Sequence, residues 1–189
     1  PRSTLFPYTT LFRSKNEMIG SYCFTFLSDD TSVYAARDPR GFRPLVLGKK
    51  TEGGTHIVAS ESSALSAVGA DLVRDVIPGE LIKFSKNGIE SEMFSKEKQR
   101  AHCSFEFTYF AHPSSKMEGA NIYVSRKNIG RFLAKKFPIK DADLVIPVPD
   151  SARPAALGYA QELGISFDEG LLKDRYSKKG PLQIGRAHV

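Results

Sequence analysis

The 189-residue sequence carries 27 basic and 21 acidic side chains, a formal net charge of +6 at pH 7. The basic residues are dispersed and not clustered with aromatic residues, so the charge does not favour nucleic acid over a small anionic ligand. The sequence contains no run of 18 apolar residues and so predicts no membrane span. Its two cysteines, Cys23 and Cys103, lie far apart without zinc-site spacing and fit a reducing cytoplasm.

Both ends of the chain are expected to be foreign sequence. Residues 4–14 read TLFPYTTLFRS and residues 184–189 read IGRAHV, and both strings resemble in-frame translations of DNA-sequencing adapters. The alternative is a natural amphipathic N-terminus. Such segments are excluded from fold reasoning, so we predict adapter-derived ends at 1–14 and 183–189. These ends hold three arginines and no acid, which leaves a mild charge of +3 on 15–182.

The stretch 15–100 is predicted to be dominated by antiparallel strands. Asp29-Asp30 and Asn87-Gly88 are turn signals between strands, and Asn-Gly favours tight hairpins. A short helix is predicted over 60–68, with Ser60 as its N-cap. The sequence RDPRGFRP at 37–44 predicts a loop, because its prolines and glycine interrupt regular structure. The predicted strands are 19–28, 32–36, 45–48, 56–59, 81–84 and 89–94.

The stretch 101–182 changes character and predicts a βαβ unit. Aromatic residues predict a strand over 105–111. The apolar run 144–148 predicts a buried parallel strand, followed by a helix over 154–163 and a strand from Ile165. Such a unit places a site at the carboxyl ends of its strands. A helix is also predicted over 123–137, with one face formed by Ile129, Phe132, Leu133 and Lys136 and an exposed face formed by Arg126, Lys127, Arg131 and Lys135.

Several strings, in order, resemble one enzyme family. They are RDPRGFRPLVLG (37–48), ASESSAL (59–65), RDVIPGE (74–80), CSFEFTYFAHPSS (103–115) and IPVPDSARPAALGYAQELGISFDEGLLKDRY (146–176). Together they resemble amidophosphoribosyltransferases. The resemblance implies an α+β and α/β fold. Residues 15–100 would be the C-terminal half of an N-terminal-nucleophile (class II) glutamine amidotransferase sandwich. Residues 101–182 would be the start of a type I phosphoribosyltransferase parallel sheet.

The resemblance also implies a phosphoribosyl pyrophosphate site. Its pyrophosphate loop would be Asp150, Ser151, Ala152 and Arg153, at a strand-to-helix turn that offers backbone N–H groups to phosphate. The plain alternative is a helix N-cap before Pro154. Some relatives carry a serine at position 152 that contacts metal, so a metal contact there is in doubt. A flexible loop would contribute Lys173, Arg175, Tyr176, Lys178 and Lys179, the alternative being a solvated basic loop.

Other marked residues are expected to be structural. Asp38 and Arg43 would hold the 37–44 loop by hydrogen bonds, with Gly41 at positive φ. Glu61 would lie in the first turn of its helix, and Cys23, His102 and His112 would be structural. Cys103 lies where some family members place one iron–sulfur ligand, although a lone cysteine is more often simply buried.

The parent protein is expected to convert phosphoribosyl pyrophosphate and glutamine to 5-phosphoribosylamine, glutamate and pyrophosphate. The resemblance implies Mg²⁺, a possible 4Fe–4S cluster, purine nucleotides as inhibitors, a homo-oligomer and a cytoplasmic location, without nucleic acid or membrane partners. The glutaminase nucleophile and the paired aspartates would lie outside 15–182, so this chain is expected to be inactive alone. The alternatives are a non-catalytic nucleotide-binding module and another class II glutamine amidotransferase.

Overall fold

The computed structural model describes residues 18–29, 31–139 and 141–173, together with the backbone of 184–186. Residues 1–17 and the predicted loop residues Arg175, Tyr176, Lys178 and Lys179 lie outside the described residues. The chain divides into two compact units. Unit 1 comprises the described residues of 18–60 and 68–102, and unit 2 those of 61–67 and 103–186.

Unit 1 is dominated by antiparallel strands, as predicted, although the strand at Ala70–Asp75 was not among those predicted. The strands are β1 (Cys23–Leu27), β2 (Val33–Arg37), β3 (Val46–Lys50), β4 (His56–Ala59), β5 (Ala70–Asp75), β6 (Glu80–Ser85) and β7 (Gly88–Met93). They form a four-stranded sheet in the order β1-β2-β6-β7 and a three-stranded sheet in the order β4-β3-β5. The hairpins β1–β2 and β6–β7 are confirmed, the second pairing Ser85 with Gly88 across a two-residue turn.

The core of unit 1 is shared by its two sheets. Ala35 and Ile82 of the four-stranded sheet pack with Leu47 of the three-stranded sheet and with Leu45 and Val76. Residues on the opposite face of β2 and β6 are buried as well, where Tyr34, Ala36 and Leu81 form a second cluster. Burial on both faces explains why β2 is almost continuously apolar rather than alternating. Cys23 packs at the edge of the first cluster.

A buried arginine organises the loop predicted at 37–44, whose first residue, Arg37, is the last residue of β2. The Arg37 guanidinium donates to the carbonyl oxygens of Gly41, Arg43 and Val76 at 3.1, 2.8 and 2.8 Å, and Arg37 is 1% exposed. The Asp38 carboxylate accepts from two backbone N–H groups of the same loop, both at 3.0 Å. Gly41 has the predicted positive φ, +67°. The predicted role of Asp38 is confirmed, and the Arg37 guanidinium also holds the loop, in part through the Arg43 carbonyl oxygen.

Unit 2 contains three α-helices in its described part. They are α1 (Ser62–Ala67), α2 (Ile122–Lys136) and α3 (Arg153–Leu163). Its short strands are β8 (Lys116–Met117), β9 (Ala120–Asn121), β10 (Leu144–Val145), β11 (Ser166–Phe167), β12 (Leu171–Lys173) and β13 (Ile184–Arg186). Strands β10 and β11 pair in parallel around α3, which confirms the predicted βαβ unit. Gly164 ends α3 in the left-handed conformation at φ 69°.

Helices α2 and α3 pack backbone against backbone. A Cβ on Gly130 would lie 1.8 Å from the carbonyl oxygen of Ala155, and one on Gly158 would lie 2.0 Å from that of Lys127. The buried residues of α2 are Ile122, Arg126, Gly130 and Ala134, so Arg126, predicted on the exposed face, is buried. The predicted assignment of faces is therefore wrong. Close approach selects small residues, while Ile129, Phe132 and Leu133 are 43%, 71% and 50% exposed in the described structure.

Two further predictions in unit 2 need correction. Residues 106–110 form a π-helical turn and not a strand, because the Arg126 guanidinium takes the carbonyl oxygens of Phe107 and Ala111 at 2.7 and 2.8 Å. This tertiary contact overrides the β-propensity of the aromatic residues. The run 144–148 is a strand only at 144–145, and Ile146 and Val148 are about half exposed, because β10 has a single strand neighbour among the described residues.

Helix α1 starts two residues later than the predicted cap. It begins at Ser62 and has no acid in its first turn, so the predicted first-turn position of Glu61 is wrong. The Glu61 carboxylate instead accepts from the backbone N–H of His112 at 2.7 Å and from Ser115 Oγ at 2.9 Å. Among the residues that the structure describes, no helix combines the length and apolarity needed to cross a membrane.

Candidate phosphate-binding cavity

A cavity of about 400 Å³ lies in unit 2 beside the loop that joins β10 to α3. One wall is that loop together with the end of β12, and the other wall comes from the segment around the π-helical turn, with Glu61 and α2. The lining residues are Glu61, Tyr109, Phe110, Ala111, His112, Pro113, Arg126, Val148, Pro149, Asp150, Ser151, Ala152 and Lys173. The cavity thus combines charged, hydroxyl and aromatic side chains.

The loop wall follows from the local sequence. Pro154 occupies the first turn of α3, where its missing N–H costs no hydrogen bond. The N-cap residue Ala152 has no side-chain oxygen, so no side chain caps the helix. Pro154 has no N–H, and the Arg153 N–H donates to the Asp150 carbonyl oxygen at 3.4 Å. The positive end of the α3 dipole therefore faces the loop without a capping side chain. The Pro149–Asp150 peptide bond in this loop is cis.

An ion-pair network joins the loop to β12. Asp150 lies between two cations, with Oδ1 3.8 Å from Arg153 Nη1 and Oδ2 3.7 Å from Lys173 Nζ. Glu169 approaches Arg153 from the other side, its Oε1 3.2 Å from Nε. All four side chains are 39–45% exposed, so each pair stabilises the fold by about 1 kcal/mol at most. These weak pairs leave the two cations able to turn towards a more highly charged anion.

The opposite wall is held more rigidly. Arg126 is 2% exposed and its donors are fixed on two backbone carbonyls. Burial lowers the pKa of its guanidinium, while the nearby Glu61 carboxylate raises it. Glu61 is itself fixed by His112 and Ser115. The Arg126 and Glu61 charges are opposite and already hydrogen-bonded. This wall therefore shapes the cavity but adds little net charge to it.

The structure brings together part of the predicted site. Asp150, Ser151, Ala152 and Lys173 line the cavity, and Arg153 contacts both Asp150 and Glu169. The sequence interpretation missed Glu61, Tyr109, Phe110 and Arg126 as cavity residues and treated His112 as structural only. An acidic residue before a short helix and an arginine in a basic helix carry no signal of a cavity, because only the tertiary structure places them there.

The described residues alone do not fit the two metal cofactors that the sequence suggested. Among them, no group of three or more histidine, cysteine or acidic side chains is placed to hold a metal ion. Cys103 is a free, half-buried cysteine, whereas a 4Fe–4S cluster takes four thiolates. Asp150 is a single carboxylate engaged by two cations. No catalytic step is therefore assigned to a metal.

The cavity of about 400 Å³ lies at the strand–loop–helix junction of a parallel βαβ unit. This arrangement defines the class of unit 2, an α/β unit with a candidate anion site beside the end of a parallel strand. No family model matches the chain. The sequence is 46% identical over 157 residues to the amidophosphoribosyltransferase of Mycobacterium bovis, covering 83% of this chain and 29% of the relative. It is 43% identical over 164 residues to that of Methanothermobacter thermautotrophicus, covering 87% and 34%.

Solved structures give the same result. A structure described as the allosteric regulatory enzyme of purine biosynthesis matches with a TM-score of 0.84 and 39% identity, over 92% of this chain and 36% of that one. The glutamine phosphoribosylpyrophosphate amidotransferase of Bacillus subtilis, complexed with ADP and GMP, also matches at 0.84, with 36% identity over 93% and 41%. Over most of its length the chain is therefore similar to one part of the amidophosphoribosyltransferases. The chain spans about a third of the length of the curated relatives it matches.

Proposed function

We propose that the parent protein of this chain transfers glutamine-derived ammonia to phosphoribosyl pyrophosphate, giving 5-phosphoribosylamine, glutamate and pyrophosphate. Within this chain, the loop Asp150–Arg153 and Lys173 would hold the pyrophosphate group. The observation that carries the proposal is the convergence of this loop and Lys173 on one cavity, in a sequence 46% identical to a named amidophosphoribosyltransferase.

The residues of the loop wall suit a departing pyrophosphate. Displacement at the anomeric carbon leaves negative charge on the pyrophosphate oxygens, and fixed donors stabilise that charge best where water is excluded. The start of α3, which no side chain caps, supplies the positive end of a helix dipole. Ser151 supplies a hydroxyl, and Lys173 and Arg153 supply mobile charge. Pyrophosphate would displace the Asp150 carboxylate from these cations, because it carries several negative charges and the carboxylate only one.

The chain's binding step can be tested with inorganic pyrophosphate. Calorimetric titration of the full chain is expected to show saturable binding. Lys173→Met is expected to weaken binding about tenfold, the loss of one charge-assisted hydrogen bond. The matched control is Lys135→Met. Lys135 is an exposed lysine on α2 that pairs with Glu162 at 3.4 Å and does not line the cavity, so its loss should leave the affinity unchanged. Equal effects of the two substitutions would contradict a site at Lys173.

The parent activity requires a clone that extends beyond both ends of this sequence. Such a clone is expected to release pyrophosphate from phosphoribosyl pyrophosphate in the presence of glutamine and Mg²⁺. The 189-residue chain alone should release none above a blank. Pyrophosphate release by the chain alone would contradict the assignment of the catalytic groups to segments outside it. Nucleotide binding without turnover in the extended clone would favour the non-catalytic alternative.

The finer organisation is part of the same proposal. We propose that residues 15–100 belong to an N-terminal-nucleophile glutaminase domain and 101–182 to a type I phosphoribosyltransferase domain. The two packed antiparallel sheets of unit 1 and the βαβ unit of unit 2 support this division. Purine nucleotides are proposed as ligands of the parent, since the Bacillus subtilis neighbour is complexed with ADP and GMP. Mg²⁺, a possible iron–sulfur cluster and homo-oligomerisation are proposed only for the parent, with ligands beyond the described residues.

A further inference from the structure

His112 lies on the cavity wall that faces the loop Asp150–Ala152 and Lys173. Its side chain is exposed, while its backbone is fixed because its N–H donates to the Glu61 carboxylate at 2.7 Å. Glu61 is in turn held by Ser115 Oγ at 2.9 Å, and Ser115 is fully buried. The imidazole is thus carried by an anchored segment at the edge of a solvent-accessible cavity.

The hydrogen bonds of the ring fix which nitrogen carries the proton. Nδ1 lies 2.7 Å from Ser114 Oγ and 3.3 Å from the backbone nitrogen of Ser114. A backbone N–H can only donate, so Nδ1 acts as the acceptor. In a neutral imidazole the proton is then on Nε2. Because Ser114 occupies Nδ1, the nitrogen left for a ligand is Nε2, and it is a donor.

We propose that His112 is a further ligand-binding residue of this cavity, donating its Nε2–H to an oxygen of a bound phosphate or pyrophosphate group. The inference rests on the proposed function, because it assumes an anion held by the loop Asp150–Arg153. The charged side chains that line the cavity are Glu61, Asp150, Arg126 and Lys173, two acids and two bases. With these charges nearly balanced, an anion depends on added donors, and a ring with a fixed tautomer supplies one without reorganisation.

Two amide substitutions separate a ligand role from a structural role. In His112→Gln the amide nitrogen reaches about as far as Nε2, and the acceptor for Ser114 is lost. In His112→Asn the amide reaches only as far as Nδ1, so the acceptor for Ser114 is kept and the distal donor is lost. The two roles therefore predict opposite orders of affinity. The matched control is His56→Gln, at an exposed histidine on β4 in unit 1.

The measurement is calorimetric titration of the full chain and its variants with inorganic pyrophosphate, after circular dichroism has matched their folds. His112→Asn is expected to bind about tenfold more weakly than the wild-type chain, and His112→Gln within about threefold of it. The reverse order, or equal affinities for the wild-type chain and both variants, would overturn the role of His112. If the affinities are equal but Lys173→Met binds pyrophosphate more weakly, the proposed function still holds. No binding by the wild-type chain would overturn both.

Discussion

The packing of α2 on α3 leads to a prediction about Gly130. In Gly130→Ala the added methyl group would lie 1.8 Å from the Ala155 carbonyl oxygen and 2.6 Å from its carbonyl carbon. Ordinary carbon–oxygen contacts are well above 3 Å, and these obstacles are backbone atoms of a helix that cannot change rotamer. The helices must separate or shift, and overpacking of this kind costs about 3 kcal/mol at the upper end of its usual range.

Helix propensity acts in the opposite direction. Replacing glycine by alanine inside a helix contributes about 1 kcal/mol of stability, so the expected net loss is about 2 kcal/mol. Amide hydrogen exchange of α2 and α3 measures this loss, because local opening free energies are read separately from those of unit 1. The matched control is Asn128→Ala, at an exposed position of the same helix, which gains propensity without a clash.

The direction of the change in the amide exchange rate of α2 tests the close packing of the two helices. Exchange in α2 should become about 30-fold faster in Gly130→Ala, which corresponds to about 2 kcal/mol, and should be unchanged or slower in Asn128→Ala. If Gly130→Ala protects the amides of α2 as well as the control does, the helices do not approach backbone to backbone. The contact at Gly158, where a Cβ would lie 2.0 Å from the Lys127 carbonyl oxygen, predicts the same loss for Gly158→Ala.

Three further predictions concern unit 1, each read from amide exchange of β2 and β6. Burial raises the pKa of Glu80, but hydrogen bonds from Arg74 and a backbone N–H outweigh burial and hold the pKa below that of an ordinary glutamate. The ionised Glu80 carboxylate therefore stabilises the fold above the ordinary pKa of glutamate, and this stabilisation is lost as the pH falls through the lowered pKa. Glu80→Gln should abolish this pH dependence and lower the stability by about 2 kcal/mol at pH 7. Arg37→Lys should cost about 2 kcal/mol, since an ammonium cannot match the fork on three carbonyls, and an unchanged exchange rate would refute this. Gly41→Ala should cost about 2 kcal/mol through its positive φ and a Cβ 2.4 Å from the Pro78 ring, whereas a neutral effect would mean that the loop rearranges freely.

Local sequence patterns correctly predicted those features that depend on the backbone conformation of a few neighbouring residues. The Asn-Gly turn after β6, the proline at the start of α3 and the glycine at its end each act through their own backbone conformation, and all three elements form as predicted. The order of strand, helix and strand likewise predicted the parallel pairing of β10 with β11. The loop between β10 and α3 could therefore be located, and with it Asp150–Ala152 as candidate site residues.

The sequence alone determined the family resemblance, most of the elements and one wall of the cavity. The tertiary structure decided which face of α2 is buried, because the contact with α3 is set by the two glycines and not by the large apolar residues. It also made 106–110 a π-helical turn, since the Arg126 guanidinium takes carbonyl oxygens that a strand would pair. The second wall of the cavity depends on residues as far apart in sequence as Glu61 and Arg126. No local pattern encodes such a distance, because it arises only when separate segments pack together.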